Sequence, residues 1–252
     1  MTRQELYSAL ERHIPRAYSE AWDNDGALLL PNPEKQVKKI LCTLDVSDEV
    51  VRYAKENGFD LILSHHPLIF GGLRALNGED AVSRRVLSLL SSDVAVFSFH
   101  TRLDAVTGGV NDALAETLGL TDVRPMGEGE NALGRIGTLK NEMPIADFLS
   151  LVKEATGAPA LCVRTVSSVV KAVAVVGGEG KDFIDAAKNA GADTYLSGRL
   201  GYHAMLDGEI NLIECGHYFS EKHTARLLNQ MVKELCPDAE SEIYAPNSLA
   251  IY

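Results

Sequence analysis

Three short stretches hold the residues best suited to chemistry. LILSHHPLIF, residues 61–70, is an apolar run that ends in two adjacent histidines, His65 and His66. VAVFSFHTRLD, residues 94–104, carries His100 and, four residues on, Asp104. INLIECGHYFSE, residues 210–221, carries His217 and, four residues on, Glu221. If a helical turn follows each strand, positions four apart share a face, and one imidazole and one carboxylate can reach the same ion. Such donors suit Zn²⁺, Mn²⁺, Fe²⁺ or a similar ion, and the lack of a cysteine ligand set argues against a structural zinc. Taken singly, a histidine pair also reads as a solvated loop, and a His-x-x-x-carboxylate as a helix-face coincidence. Three such features at strand ends point to a metal site. Neighbours on an extended chain point opposite ways, and Pro67 biases His66 toward extended backbone. The adjacency therefore suits two ions, one on each side, joined by a bridging carboxylate at a separation of about 3.5–4 Å.

The elements that must hold these residues alternate between strand and helix. Thr2 to Glu5 reads as a capping box, followed by Leu6, Leu10 and Ile14 at helical spacing. KKILCTLDV is a strand, Ser47 caps the helix DEVVRYAKENG, DLILS is a strand, AVSRRVLSLLSS a helix and VAVFSF a strand. GVNDALAETLGL closes the first half. A second half begins near Pro125 with the strand GRIGTL and the helix IADFLSLVKEATG opened by Pro144. ALCVRTV, KAVAVVGG, TYLSG and INLIECG are further strands, KDFIDAAKNAG is a helix, and SEKHTARLLNQMVKEL is one long amphipathic helix. The pattern predicts an α/β fold of two similar halves with mostly parallel sheets. The metal site is expected at the strand C-terminal ends between them. The expected division is residues 1–124 plus 208–252 as one domain, carrying the metal ligands, and 125–207 as the other. VVRYAKENGFDLILSHH also aligns with FIDAAKNAGADTYLSGR, matching Ala54 with Ala187, Gly58 with Gly191, Asp60 with Asp193 and Ser64 with Ser197. His65 and His66 then face Gly198 and Arg199, so the second half lacks the histidine pair.

The 252 residues carry a net charge of −11, which argues against a broad grip on nucleic acid or an anionic membrane. No run approaches the ~20 apolar residues of a membrane span, and MTRQELYSALERH lacks the apolar core of a signal peptide. A cytoplasmic protein is expected. Cys42, Cys162, Cys215 and Cys236 form no CxxC pair and read as small core residues or bystanders.

SHHPLIF, FHTRLDAVTGGVNDALAETLGL and GHYFSE together resemble the dinuclear metal-centre family often named GTP cyclohydrolase 1 type 2 homologues. Its eukaryotic members are called NGG-interacting-factor-three-like proteins. WDNDGALL and GGEGKDFIDAAKNAGADTYLSG resemble two further stretches of that family, and the resemblance covers nearly the whole chain in order. It implies two divalent ions held by His65, His66, Asp104, His217 and Glu221, with Glu221 the bridge. His66 and Asp104 would serve mainly one ion, His65 and His217 the other. His100 is implied beside the site, for proton transfer or for orienting a ligand, and His203 is a further neighbour. Two positions depart from the family: Ser197, Gly198 and Arg199 stand where Ser/Thr-Gly-Asp is usual, so that Arg199 replaces the aspartate, and Asp25 stands where an apolar residue is commoner. The resemblance also implies a toroidal homohexamer. Its name implies metal-dependent hydrolysis of the GTP cyclohydrolase kind, for which Arg102, Arg135 and Arg199 are the cations available to a nucleotide substrate. A two-metal phosphoesterase or amidohydrolase is an alternative, and so is a metal-binding or partner-binding scaffold without turnover.

Overall fold

The computed structural model describes residues 1–127, 132–247 and 249; the remainder of the expected first domain's end lies outside them. In chain order the elements are α1 (Arg3–His13), β1 (Gly26–Leu29), β2 (Lys39–Thr43), α2 (Asp48–Glu56), β3 (Leu61–Ser64), α3 (Ala81–Ser91) and β4 (Ala95–Ser98). Then come α4 (Thr101–Ala105), α5 (Val110–Thr117), β5 (Thr121–Met126), β6 (Gly134–Pro144), α6 (Ile145–Thr156), β7 (Cys162–Arg164) and β8 (Val169–Glu179). The chain continues through α7 (Ile184–Asn189), β9 (Thr194–Arg199), α8 (Tyr202–Leu206), β10 (Asn211–Glu214) and α9 (His217–Glu221). It ends the series with α10 (Thr224–Leu235) and β11 (Glu240–Ile243).

Two compact units emerge. The first runs over Met1–Leu103 and resumes at Thr224; the second begins at Asp104 and runs to His223. This division differs from the expected one at both ends. GVNDALAETLGL and INLIECGHYFSE fall in the second unit, because α5 packs on β8 and β10 pairs with β9. Periodicity reports which residues are apolar, not which sheet a strand joins, so the boundary was invisible to it.

The first unit holds a five-stranded sheet in the order β1-β4-β3-β2-β11. The last four strands are parallel neighbours and β1 is an antiparallel edge. β3 and β4 are buried along their whole length, which is why LILS and AVFS read as unbroken apolar runs. The Thr2 capping box and the Ser47 cap form as the sequence indicates. The second unit holds a six-stranded mixed sheet, β5-β6-β8-β9-β10-β7, in which β8, β9 and β10 are parallel neighbours and β5, β6 and β7 join through antiparallel pairs. Its core gathers Phe148, Val152, Val173, Val175, Leu196 and Ile213.

The internal similarity is structural as well as sequential. The Asp60 carboxylate accepts the amides of Lys38 and Lys39, at 2.9 and 3.1 Å. The Asp193 carboxylate accepts those of Lys171 and Ala172, at 2.9 and 2.8 Å. In each case the aspartate ties a strand start to the strand before it, and the preceding helix buries an alanine completely, Ala54 or Ala187. One expectation fails locally: the long helix expected from Ser220 is two, since α9 ends at Glu221 and α10 starts at Thr224. The four cysteines are free thiols, with only Cys162 exposed. Among the described residues, no helix is long and apolar enough to cross a membrane.

Candidate metal centre

His65 and His66 follow β3 directly, at the carboxyl end of a parallel strand. The extended alternation stops there: the chain bends, and the two successive amides bond to the successive carbonyls of Thr43 and Leu44. The rings therefore do not splay to opposite sides as strict alternation predicts. Their centroids lie 5.0 Å apart, and His100, two residues past β4, sits 5.3 and 5.7 Å from them. One ligand nitrogen from each of the three can be chosen with all within 4.8 Å of one another.

The tautomers follow from the hydrogen bonds. His65 Nδ1 donates to the carbonyl oxygen of Phe99 at 2.9 Å, and a carbonyl can only accept. His66 Nδ1 donates to Asp45 at 2.7 Å, and His100 Nδ1 donates to Asp23 at 3.0 Å. With each Nδ1 carrying a proton, Nε2 is the nitrogen left to offer a lone pair when the ring is neutral. This pattern, an imidazole steadied through its second nitrogen by an oxygen, is how metal-ligating histidines are held. The donor set of the first unit fits a divalent ion.

WDND supplies the support. The Asp23 carboxylate accepts His100 Nδ1, the Thr101 amide at 3.0 Å and the Thr101 hydroxyl at 2.6 Å. Burial pushes Asp23 up, but His100 and Thr101 more than offset it and hold the carboxyl at about 2. Two residues on, Asp25 accepts the His100 amide at 3.3 Å and Arg102 Nε at 2.9 Å. Asp25 thereby neutralises a buried arginine.

In the second unit, α9 does what its i, i+4 spacing predicts. His217 Nε2 lies 2.9 Å from Glu221 Oε2. Glu221 is buried, whereas the His217 side chain is 47% exposed, so the pair presents one open and one enclosed donor. The glycine-rich stretch explains how a carboxylate fits there. A Cβ on Gly178 would stand 2.4 Å from Glu221 Oε1, and the residue has φ +64, so no side chain is accommodated. Ser220 Oγ fixes α9 to this turn by accepting the Gly178 amide at 2.9 Å. Asp104 sits half-buried on α4, its carbonyl accepting Asn111 Nδ2 at 3.2 Å. The Asn111 side chain also accepts the Gly177 amide at 2.7 Å, which links α5 to the glycine turn.

The arginines come out differently from the sequence expectation. Arg102 does not line a substrate rim. It is fully buried, ion-paired with Asp25 at 2.9 Å and Glu11 at 2.5 Å, and stacked over Phe99 at 4.4 Å. Arg135 is also buried, bound by Asp112 and by the carbonyls of Ala105, Val106 and Ala132. Arg199 and His203 are exposed, at the end of β9 and on α8. Four residues that help build the site had no role assigned from sequence: Asp23, Asp45, Asn111 and Ser220. Asp45 had a signal, lying just past the end of the strand beside β3, and Asp23 lay in plain view in WDND; Asn111 had none.

A "GTP cyclohydrolase 1 type 2 homolog" of Clostridium perfringens is 34% identical over 243 residues, spanning 93% of this chain and 92% of that protein. The "NIF3-like protein 1" of Drosophila melanogaster is 32% identical over 238 residues, spanning 90% and 78%. Among solved structures, Staphylococcus aureus hypothetical protein SA1388 superposes with a TM-score of 0.89 at 25% identity, covering 98% of this chain and 96% of that one. Reduced HcgD from Methanocaldococcus jannaschii gives 0.84 at 27% identity, covering 96% and 97%. The profile of one family matches residues 1–247, and the chain belongs to that family, Duf34/NIF3 (NGG1p interacting factor 3).

Proposed function

We propose that this protein is a metal-dependent hydrolase holding two divalent ions of the zinc, manganese or iron kind. His65, His66, Asp104, His217 and Glu221 are the ligands, with Glu221 shared. The observation that carries the reading is the common state of the three imidazoles, each donating from Nδ1 to an oxygen. Five nitrogen and oxygen donors also exceed what one tetrahedral ion takes. Divalent ions of this kind supply Lewis acidity and bring the pKa of bound water to about 7. His100, its Nδ1 proton on Asp23, accepts a proton at Nε2, and the ionised Asp23 steadies the imidazolium that results. The names of the bacterial relatives point toward GTP ring opening. Arg102 and Arg135 are committed to internal partners, so Arg199 and His203 are the remaining candidates for phosphate contacts.

That thin supply of cations supports a second reading, a metal-binding scaffold for a partner protein, as the family's name records an interaction. In either case the chain is proposed to act as a homo-oligomer, a toroidal hexamer by resemblance. Elemental analysis and anomalous diffraction on protein purified without chelator test the metal centre. Two ions per chain, lost in His65→Ala and Glu221→Gln, are expected; no ion, or one remote from His65, refutes it. Formate released from GTP marks the cyclohydrolase, phosphate or nucleoside a phosphoesterase, and no product across a nucleotide panel the scaffold.

A further inference from the structure

Trp22 and Phe70 are 61% and 59% exposed, although folding ordinarily covers most of rings this large. They are not stray side chains on separate loops. Their centroids are 6.0 Å apart with the planes tilted by 50°. Each also stands edge-on to the same imidazole: Trp22 at 6.2 Å and 77° from His100, Phe70 at 5.9 Å and 74°. The backbone around them is tied down. Asn24 Nδ2 donates to the Ile69 carbonyl at 2.6 Å, joining the two loops, and the Glu20 amide donates to Thr101 Oγ1 at 3.0 Å. Asp23, between Trp22 and Asn24, is anchored to His100 and Thr101. The fold has thus fixed two aromatic faces in water, both beside an imidazole whose tautomer is set.

We infer that Trp22 and Phe70 form a stacking rim for a planar heteroaromatic ring, held with its edge toward His100. Such a ring meets both features of the place. Its face stacks on the exposed aromatics, and its edge carries the donors and acceptors that an imidazole backed by a carboxylate can engage. A purely apolar partner would leave His100 unmatched. The inference rests on the proposed metal centre for its substrate role, and names the substrate class as a flat nitrogen heterocycle.

Trp22 is the chain's single tryptophan, so its fluorescence reports on this place alone. Metal-loaded protein is titrated with adenosine, excited at the red edge of the indole band, with ribose as the non-aromatic control. Saturable quenching by adenosine and none by ribose is expected. Phe70→Leu, which keeps apolar bulk but loses the flat ring, should raise the dissociation constant about tenfold, and Phe70→Tyr should restore it. Equal responses to ribose, or no saturable quenching, overturn the inference. So does emission that changes with protein dilution alone, which shows a second copy covering the rings. Metal content measured on the same samples separates the two readings: bound metal without quenching defeats the rim, and quenching without metal defeats the centre.

Discussion

Asp23 holds His100 by its Nδ1 proton at 3.0 Å while taking the amide and hydroxyl of Thr101 with its other oxygen. Asn at this position keeps the shape but must turn either its NH₂ toward His100 or its NH₂ toward Thr101, and both are donors. Asp23→Asn is therefore expected to shift His100 to the other tautomer or release the ring. The fold should lose about 1–3 kcal/mol. Nitrogen chemical shifts of the imidazole and a denaturant titration measure the two effects; an unchanged tautomer would show that Asp23 does not set it.

Gly178→Ala is expected to displace the Glu221 carboxylate, because its Cβ would meet Oε1 at 2.4 Å and His217 Nε2 at 3.2 Å. Gly191→Ala is the control: its φ is +92, so the strain is comparable, but nothing lies within 4 Å of the added atom. Both should lose stability of order 1 kcal/mol or more. Only Gly178→Ala should also lose bound metal, as elemental analysis will show.

Arg102→Met tests whether this arginine serves structure or substrate. It removes one of the two arginines paired with the fully buried Asp25, Arg16 remaining at 2.6 Å, so a loss of about 1–3 kcal/mol is expected. A stable variant with an altered Michaelis constant would return Arg102 to the substrate rim.

Asp93 predicts an acid-sensitive step away from the metal ligands. Burial raises its pKa, but Lys35, Arg3 and Asn32 outweigh that and bring it to about 2. An unfolded aspartate titrates near 3.9. The native form is thus the stronger acid, and its stabilisation is complete above pH ~4 and lost as pH falls through about 2. Discounted for the partial exposure of Asp93, the effect is about 1 kcal/mol. Asp93→Asn keeps a residue that tolerates the φ of +54 found there and should flatten the loss of stability between pH ~4 and ~2. Urea midpoints across that range are the measurement.

Most elements were legible because their signals are local. The Thr2 and Ser47 caps, the opening of α6 at Pro144 and the four-residue spacing of His217 and Glu221 each depend on neighbours within one or two turns. What escaped depends on distance along the chain. Asp23 and His100 are 77 residues apart, as are Asp25 and Arg102, and no pattern within a window joins them. Arg102 looked like a surface cation because arginine usually is one; its burial follows only once Asp25 and Glu11 are brought to it.

The position of β11 has a consequence for synthesis. This strand, Glu240–Ile243, pairs in parallel with β2, Lys39–Thr43, so the first unit's sheet is completed by residues translated some two hundred positions later. All the strands of the second unit are made in the interval. On the ribosome the inserted unit can therefore close first, while β2 waits with an open edge. A chain stalled before residue 240 would expose that edge, which marks it as the place where a chaperone or a misdirected strand would act.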